Sequence, residues 1–359
     1  MKKNKLYIDF HIIQTVPPSC INRDDTGSPK TATYGGVTRA RVSSQCWKRE
    51  IREQFKENLD EQTLGVRTKR IVELVALEIV KTDPSVEREL AKTLAEKVIN
   101  LCGIKTKEEE ALALFFMSRK QANNLAKLIL GNEEASKKEA QTALNKGHGV
   151  DVALFGRMVA DDATLNADAS AQVAHAISTH RVDNEYDYFT AVDDMTQSTG
   201  AGMIGTVEFN SATLYRYATV AVHGLFKELE RDVNVTAEAL AEFAKAFIIS
   251  MPDGKQNSFA NHTVPDVAWI TVRNDRPVNM VGAFEQPIQN KGQGFANASI
   301  KKLSDHMKSV YDNFASKPVR AWTIGEVVDA GSEQIKLCEL GELLREQILE
   351  YSNIGSVEQ

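Results

Sequence analysis

Strand-like alternation of apolar residues occurs near both ends of this chain, and a long helical stretch separates the two regions. Residues 5–13, KLYIDFHII, alternate with a period of two. This pattern predicts a half-buried β-strand whose open face carries Asp9 and His11. Between about residues 60 and 145, segments such as RIVELVALEIV have helical spacing instead, and strand signals are nearly lacking. The sequence therefore predicts a core that a helical insertion interrupts.

The remaining segments predict an α+β fold. Residues 151–158 have strand character, and the alanine-rich residues 168–180 favour a helix. The polar, glycine-bearing residues 182–205 predict a projecting loop or hairpin. Strands and helices then alternate to the C-terminus, which predicts a sheet with helices on one face. A ferredoxin-like or RRM-like core fits this order, although spacing alone supports it only weakly.

Positive charge is concentrated in one short window of an acidic protein. Residues 23–52 hold seven basic and three acidic residues, a net charge of +4, whereas the 359-residue chain carries −6 and the rest of it therefore −10. Segregated charge of this kind predicts an anion-binding surface. The basic residues are Arg23, Lys30, Arg39, Arg41, Lys48, Arg49 and Arg52.

Part of this window predicts an amphipathic helix from about Ser44. With Ser43 or Ser44 as the cap, a set of polar residues falls within about 100° of arc, and Trp47, Ile51 and Phe55 form a separate apolar face. The helix N-terminus adds free N–H groups and positive potential. This combination predicts a cradle for a phosphate backbone. The polar set is Gln45, Lys48, Arg49 and Arg52.

The basic window also fits other interpretations. A basic helix is often only a solvated surface. The chain has no Walker-type loop and no GxGxxG motif, so an extended phosphodiester is a better partner than a mononucleotide or a dinucleotide. Its four cysteines are scattered and indicate neither a disulfide framework nor a zinc site, and no cofactor is expected. No apolar run approaches the roughly 20 residues of a membrane span, so we expect a cytoplasmic protein without a membrane partner.

Five segments together resemble the CasC family of the wider Cas-seven superfamily. They are PSCINRDD (18–25), YGGVTRARVSSQCWKR (34–49), GVDVALFGRM (149–158), AHAISTHRVDNEYDYFTAVDD (174–194) and GTVEFNSATLYRYA (205–218). CasC is the backbone subunit of Cascade, the type I-E CRISPR surveillance complex. The resemblance spans residues 18 to 285 and is collectively specific.

The resemblance implies a shape like a right hand. An RRM-like palm would comprise residues 1–58 and 213–359, helical fingers residues 59–181, and a protruding thumb residues 182–212. Copies of such a subunit, about six in the family, polymerise along the CRISPR RNA (crRNA) as a helical filament. They present its spacer for pairing with target DNA and assemble with the other Cascade subunits.

The resemblance also implies roles for individual residues. Met158 and the pair Phe189 and Thr190 would wedge against the RNA where a nucleotide is displaced, and base-tolerant wedging suits any spacer sequence. Lys255 and Gln256 lie in a polar loop that resembles another RNA contact of the family. Backbone contacts would come from Arg23, Lys30, Ser43, Gln45, Lys48, Arg49 and Arg52, with Arg39 and Arg41 as further candidates.

Catalysis has one candidate site. Asp24 and Asp25 flank Arg23, and distant type III relatives cut target RNA with a loop aspartate. The alternative function is therefore a metal-dependent ribonuclease that uses Asp24 or Asp25, although adjacent aspartates in loops are usually turn-formers. A stand-alone RNA chaperone is a third interpretation. The type I-E resemblance itself implies a non-catalytic protein that holds no metal.

Overall fold

The computed structural model describes residues 5–159, 162–191, 195, 203–290, 292–326 and 331–357. The strands in these ranges are β1 (Tyr7–Ser19), β2 (Thr31–Tyr34), β3 (Val37–Val42), β4 (Gly65–Thr68), β5 (Thr106–Lys107), β6 (Glu110–Ala111), β7 (Phe115–Ser118), β8 (Ala171–Val173), β9 (Ala176–Ser178), β10 (Glu185–Ala191), β11 (Met203–Ala221), β12 (Val267–Arg273), β13 (Arg320–Gly325) and β14 (Glu333–Gln334). The helices are α1 (Ser44–Asn58), α2 (Ile71–Thr82), α3 (Arg88–Leu101), α4 (Arg119–Gly131), α5 (Lys137–Leu144), α6 (Val150–Phe155), α7 (Val222–Glu228), α8 (Val233–Ile249), α9 (Gln256–Phe259), α10 (Ala296–Asn313) and α11 (Leu337–Val357). The α+β class that the sequence predicts is confirmed.

A single large sheet organises the chain. Its strand order is β14-β13-β12-β1-β11-β9-β3-β2, with β8 and β10 also paired to β11. The predicted first strand, β1, lies at the centre, where it pairs antiparallel with both β11 and β12. All pairings in this sheet are antiparallel except that of β13 with β14. Central strands carry the strongest apolar patterning, which explains why β1 and β12 were evident in the sequence.

Helices cover both faces of the sheet, so the prediction of helices on one face is wrong. On one face, Ile8 and Phe10 of β1 join a core that includes residues of α1, α8 and α11. On the other face, Ile13 and Trp269 pack with Met307 of α10 and with the turn Val281–Phe284. The alternation in β1 predicted that the second face of the strand is exposed. Helix α10 covers that face, but it is distant in sequence, so its position could not be anticipated from the alternation.

Buried polar groups fill this second face near β1. Asp9 and His11 are fully buried rather than half-exposed. Asp9 accepts hydrogen bonds from the Val278 backbone N–H (2.9 Å) and the Tyr217 hydroxyl (3.2 Å), and burial raises its pKa to about 6. Burial, together with the charge of Arg273, lowers the pKa of His11 to about 3. Burial thus disfavours the charged form of both side chains, and the imidazole of His11 is neutral at pH 7.

The predicted insertion is largely helical and has a core of its own. Helices α2 to α5 enclose Val75, Leu94 and Leu125, and the β4–β7 ribbon lies between α4 of this unit and α6. Within the described ranges, no helix is both long and apolar enough to cross a membrane.

The predicted projecting segment is a β-hairpin. Strand β10 pairs antiparallel with the first part of the 19-residue strand β11, from Glu185↔Phe209 to Ala191↔Met203. The rest of β11 continues into the large sheet, so the hairpin is a direct extension of a central strand. Residues 192–194 and 196–202, which include Gly200 and Gly202, lie outside the described residues.

Two secondary-structure predictions are wrong. The run predicted as a strand at 151–158 contains the short helix α6, whose residues from Val150 to Leu154 are all buried. A continuous apolar run cannot distinguish a buried helix from a buried strand. The alanine-rich residues 168–180 form β8 and β9 instead of a helix, because Ala171 and Ala176 pack into the core beside β11. Tertiary packing overrides the helical propensity of alanine there.

The buried Asp9 carboxyl predicts a pH-dependent stability difference. A folded-state pKa of about 6, above the usual 3.8, means that the stabilising contribution of this group is complete below pH 3.8 and is lost as the pH rises through about 6. The Asp9→Asn variant does not titrate. Relative to wild type, it should therefore gain about 2 kcal/mol of unfolding free energy between about pH 4 and about pH 8.

Urea denaturation of both proteins at the two pH values measures this shift. The exposed Asp25→Asn variant controls for the change in net charge. A difference between wild type and Asp9→Asn that does not change with pH would contradict the assignment.

Candidate nucleic-acid interface

Helix α1 orients the basic residues because its apolar face is fixed in the core. Trp47, Ile51 and Phe55 are fully buried, as the helical projection predicts. Ser43 is the N-cap residue, yet its side chain makes no capping bond, and its buried hydroxyl has no partner among the described residues. A buried hydroxyl without a partner at a helix N-terminus is suited to donate to an anion.

The polar face of α1 presents cations that remain available. Gln45 and Arg49 are exposed, and the nearest carboxylate oxygen to Arg49, on Asp253, is 3.9 Å away in a solvent-exposed pair. Lys48 is half-buried, with its ammonium 5.6 Å from the centre of the Phe155 ring, and partial burial lowers its pKa. A cation that has lost part of its hydration shell and has no carboxylate partner is favourably placed to bind a phosphate.

Arg52 has a different environment from its neighbours on the helix. Its Nε donates to Asp151 at 3.1 Å, and its guanidinium lies 4.6 Å from the centre of the Phe116 ring. Asp151 is buried and also accepts from the Gly65 backbone N–H at 2.7 Å. Burial raises the pKa of Asp151 more than Arg52 lowers it. The pair ties α1 to β4 and α6, so Arg52 helps to form the groove and its charge is partly neutralised.

An open groove of about 800 Å³ runs between α1 and the β4–β7 ribbon. Gln45, Lys48, Arg49 and Arg52 all line it, and residues 155–158 form one end. Met158 is 88% exposed there, which is unusual for a large apolar side chain. The structure thus brings together four predicted backbone contacts and one predicted wedge residue.

Arg67 is a groove cation that the sequence analysis missed. It lies on β4 opposite Phe116, is exposed, and lines the groove across from α1. Nothing in the local sequence distinguishes it from the neighbouring basic residues Lys69 and Arg70. Only the pairing of β4 with β7 places it at this site.

Two predicted cations on β3 differ in their positions. The prediction that Arg39 faces the groove is wrong, because its guanidinium is fully buried and donates to the backbone carbonyls of Ser178 and Phe284. Arg41 is half-buried at the sheet edge, where its Nε donates to the Thr31 carbonyl at 3.1 Å and one terminal nitrogen lies 3.2 Å from His175. His175 is exposed, and burial, Arg41 and Lys30 lower its pKa.

The remaining predicted backbone contacts lie next to α1. Arg23 is exposed and Lys30 is half-buried, and their loop bonds to the start of α1 through Asn22, whose side chain accepts from the Ser43 N–H at 2.9 Å. The loop that carries Lys255 and Gln256 packs close to the same segment. A Cβ on Gly254 would meet the Ile21 carbonyl oxygen at 2.5 Å, so only glycine permits this approach.

The hairpin residues are separate from the groove. Phe189 on β10 is half-buried against the bare backbone of Gly205, its cross-strand partner, and Thr190 is exposed. Neither residue is among those lining the groove within the described chain. One molecule therefore does not bring the two predicted wedges, Met158 and Phe189, into the same site.

The aspartates proposed for cleavage have a structural role in their loop. One oxygen of Asp24 accepts from the Thr26 N–H, the Thr26 hydroxyl and the Ser28 N–H at 2.7–3.0 Å. These bonds lower the pKa of Asp24, the Thr26 hydroxyl most strongly. Asp25 is exposed. Among the described residues, no group of three or more histidine, cysteine or acidic side chains is arranged to hold a metal ion.

Comparison with solved structures assigns the fold to a class of CRISPR proteins. One chain of a "CRISPR RNA-guided surveillance complex, pre-nicking" is 30% identical, superposes with a TM-score of 0.81, and is covered over 99% of its length by 96% of this chain. A chain of a second "CRISPR RNA-guided surveillance complex" is 27% identical, with a TM-score of 0.70 and the same coverage.

The sequence model of the CT1975-like protein family matches residues 8–348. The chain therefore belongs to the CT1975-like protein family, and its resemblance to the Cas-seven superfamily is confirmed. A search of curated proteins found no significant match.

The Arg52–Asp151 pair leads to a prediction about which contacts stabilise the groove. Asp151→Ala should destabilise the protein by about 3 kcal/mol, because it leaves Arg52 and the Gly65 N–H without their buried acceptor. Asp253→Ala, which removes the exposed partner of Arg49, should cost less than about 0.5 kcal/mol. Chemical denaturation measures both values. Equal losses for the two variants would show that Asp151 does not connect α1 to β4.

Proposed function

We propose that this chain is a non-catalytic backbone subunit of a type I-E CRISPR surveillance complex, Cascade, and that it binds crRNA along the α1 groove. The observation that carries the proposal is the groove itself, in which Gln45, Lys48 and Arg49 lie together on a rigid helix, with the unpartnered Ser43 hydroxyl at the N-cap of that helix. The two similar solved chains, whose printed descriptions are of RNA-guided surveillance complexes, support it.

The groove suits an RNA backbone of any sequence. Phosphate contacts position a nucleic acid without reading its bases, so one subunit accepts every spacer. Most of the groove's polar groups are cations or neutral donors, as a phosphodiester chain requires. The acidic remainder of the chain limits adhesion of nucleic acid elsewhere.

The architecture proposed with this function is an RRM-like palm, fingers and a thumb, with residues 1–58 and 213–359, 59–181 and 182–212 respectively. Most of the central sheet with α1 would correspond to the palm, the α2–α5 unit to the fingers, and the β10–β11 hairpin to the thumb, while β8 and β9 of the fingers range pair with the central sheet. Residues 1–4 and the hairpin tip lie outside the described residues.

Polymerisation explains why the two wedges are apart. The hairpin of one copy would reach the groove of the next, so that Phe189 and Thr190 meet Met158 of another molecule across a displaced nucleotide. An 88%-exposed methionine gains apolar contacts in such an arrangement. Head-to-tail contacts of this kind build open filaments. The exposed RNA segments would then pair with target DNA in the cytoplasm, within a complex that includes the other Cascade subunits.

Removal of two groove cations should weaken RNA binding regardless of sequence. Lys48→Ala with Arg49→Ala is expected to lower affinity for single-stranded RNA by about 10- to 100-fold and to reduce the salt slope by about 1.4, since each lost phosphate contact contributes about 0.7. Filter binding at several salt concentrations measures both.

A matched control removes the same net charge from the opposite face of the sheet. Lys301→Ala with Lys308→Ala alters exposed cations of α10. Equal effects of the two double variants would place the RNA outside the α1 groove.

Replacement of the hairpin aromatic should affect RNA spacing rather than folding. Phe189→Ala is expected to blur the periodic nuclease-protection pattern of assembled filaments while the melting temperature changes by less than about 3 °C. Phe209→Ala, in the same hairpin but packed on Phe259 at 5.7 Å between ring centres, should instead lower stability and keep the periodicity. A regular pattern in Phe189→Ala would refute the wedge role.

Regular cleavage of complementary RNA with Mg²⁺, lost in Asp24→Asn or Asp25→Asn, would favour the ribonuclease alternative.

A further inference from the structure

Buried arginines in this protein mostly have no carboxylate partner. Among the described residues, four arginines are buried, and only Arg273 forms an ion pair, with Asp275 at 2.8 Å. The other three, Arg39, Arg157 and Arg216, donate only to neutral oxygens. Burial of a charge without a countercharge is costly, so an unpaired buried arginine calls for an explanation.

Arg216 is the most isolated of these cations. It is 1% exposed on β11 and donates to the Gln14 side chain and to the carbonyls of Phe247 and Ile248, while its Nε has no partner among the described residues. Burial lowers its pKa to about 9. The groups that contact it from β1, α1 and α8 carry no formal charge, and the two carbonyls belong to the last turn of α8.

Arg216 lies directly beneath the first turn of α1. Its guanidinium carbon is 3.8 Å from the centre of the Trp47 ring, and Trp47 belongs to the turn that follows Ser43. The first turn of α1 contains no acidic residue. Behind the free N–H groups of α1, the protein thus places a positive charge whose contacts are aromatic rings, an amide and carbonyls, without a carboxylate among the described residues.

We propose that Arg216 is a positioning residue whose buried, unpaired charge strengthens the anion site at the N-terminus of α1 and is neutralised by a backbone phosphate of bound RNA. The inference rests on the proposed function. The proposal depends on the electric field of the Arg216 charge, which the apolar interior around it screens only weakly. Ser43 supplies an independent sign of the same ligand, since its buried hydroxyl also lacks a partner.

Arg216 supplies both hydrogen bonds and charge at this position. Positions 214 and 218, on the same face of β11, carry Leu and Ala in the apolar core. A methionine at 216 would avoid the desolvation cost of a charge but would leave the Gln14 side-chain oxygen and the Phe247 and Ile248 carbonyls without their donor. A unit charge about 10 Å from a phosphate, at an effective dielectric constant of about 20, changes affinity by roughly tenfold. This effect is large enough to offset part of the burial cost once RNA is bound.

The test compares Arg216→Met with Arg273→Met, since both remove a buried arginine and only the second has a carboxylate partner. RNA affinity of the full chain is measured at several salt concentrations, alongside the melting temperatures of the RNA-free proteins. Arg216→Met should bind RNA about tenfold more weakly, whereas Arg273→Met should keep its affinity while folded, whatever the two variants lose in stability. Wild-type affinity in Arg216→Met, or losses of affinity that follow losses of stability in both variants, would overturn the proposal.

Arg216→Lys tests the charge itself and decides the matter if Arg216→Met does not fold. A buried lysine loses its proton readily. The affinity of Arg216→Lys relative to wild type should therefore fall as the pH rises from about 5 to about 7, a range in which Arg216 itself stays charged. A ratio that does not change with pH would overturn the proposal. Failure of the wild type to bind RNA would instead refute the proposed function.

Discussion

The packing of Trp47 against Arg216 and the sheet is the interaction on which the basic groove depends. Trp47, Ile51 and Phe55 fix one face of α1 in the main core. With that face buried, helical geometry leaves Gln45, Lys48 and Arg49 no orientation except toward the β4–β7 ribbon. The positions of the groove cations thus follow from the apolar packing of α1. Loss of Trp47 would disturb both that packing and the positions of the cations.

The groove is formed in advance of any ligand. Asp151 holds Arg52 and the β4 backbone, and Phe155 and Phe116 lie beside the Lys48 and Arg52 side chains. Side chains that packing already orders lose less entropy on binding. The cations also differ in role: Arg52 is structural and partly neutralised, whereas Lys48 and Arg49 are available to bind an anion.

Sequence patterns predicted the elements whose burial is local and missed those that depend on distant partners. The strand β1, the amphipathic helix α1 and the hairpin were predicted because period and turn residues define them within a few positions. Helix α6 and strands β8 and β9 were not, since apolar or alanine-rich runs take the structure that their neighbours impose. Arg39 was misplaced for the same reason: its carbonyl partners, Ser178 and Phe284, are far away in sequence. Arg67 joined the site only through strand pairing.

The location of RNA on the protein is the most direct test of the account. Photo-crosslinking of a 4-thiouridine-substituted RNA to the full chain, followed by mass spectrometry of the linked peptides, measures it. The account predicts crosslinks in residues 43–52, 65–67 and 155–158, with a further site at 189–190 once filaments form. Crosslinks confined to α10 and the opposite face of the sheet would contradict it.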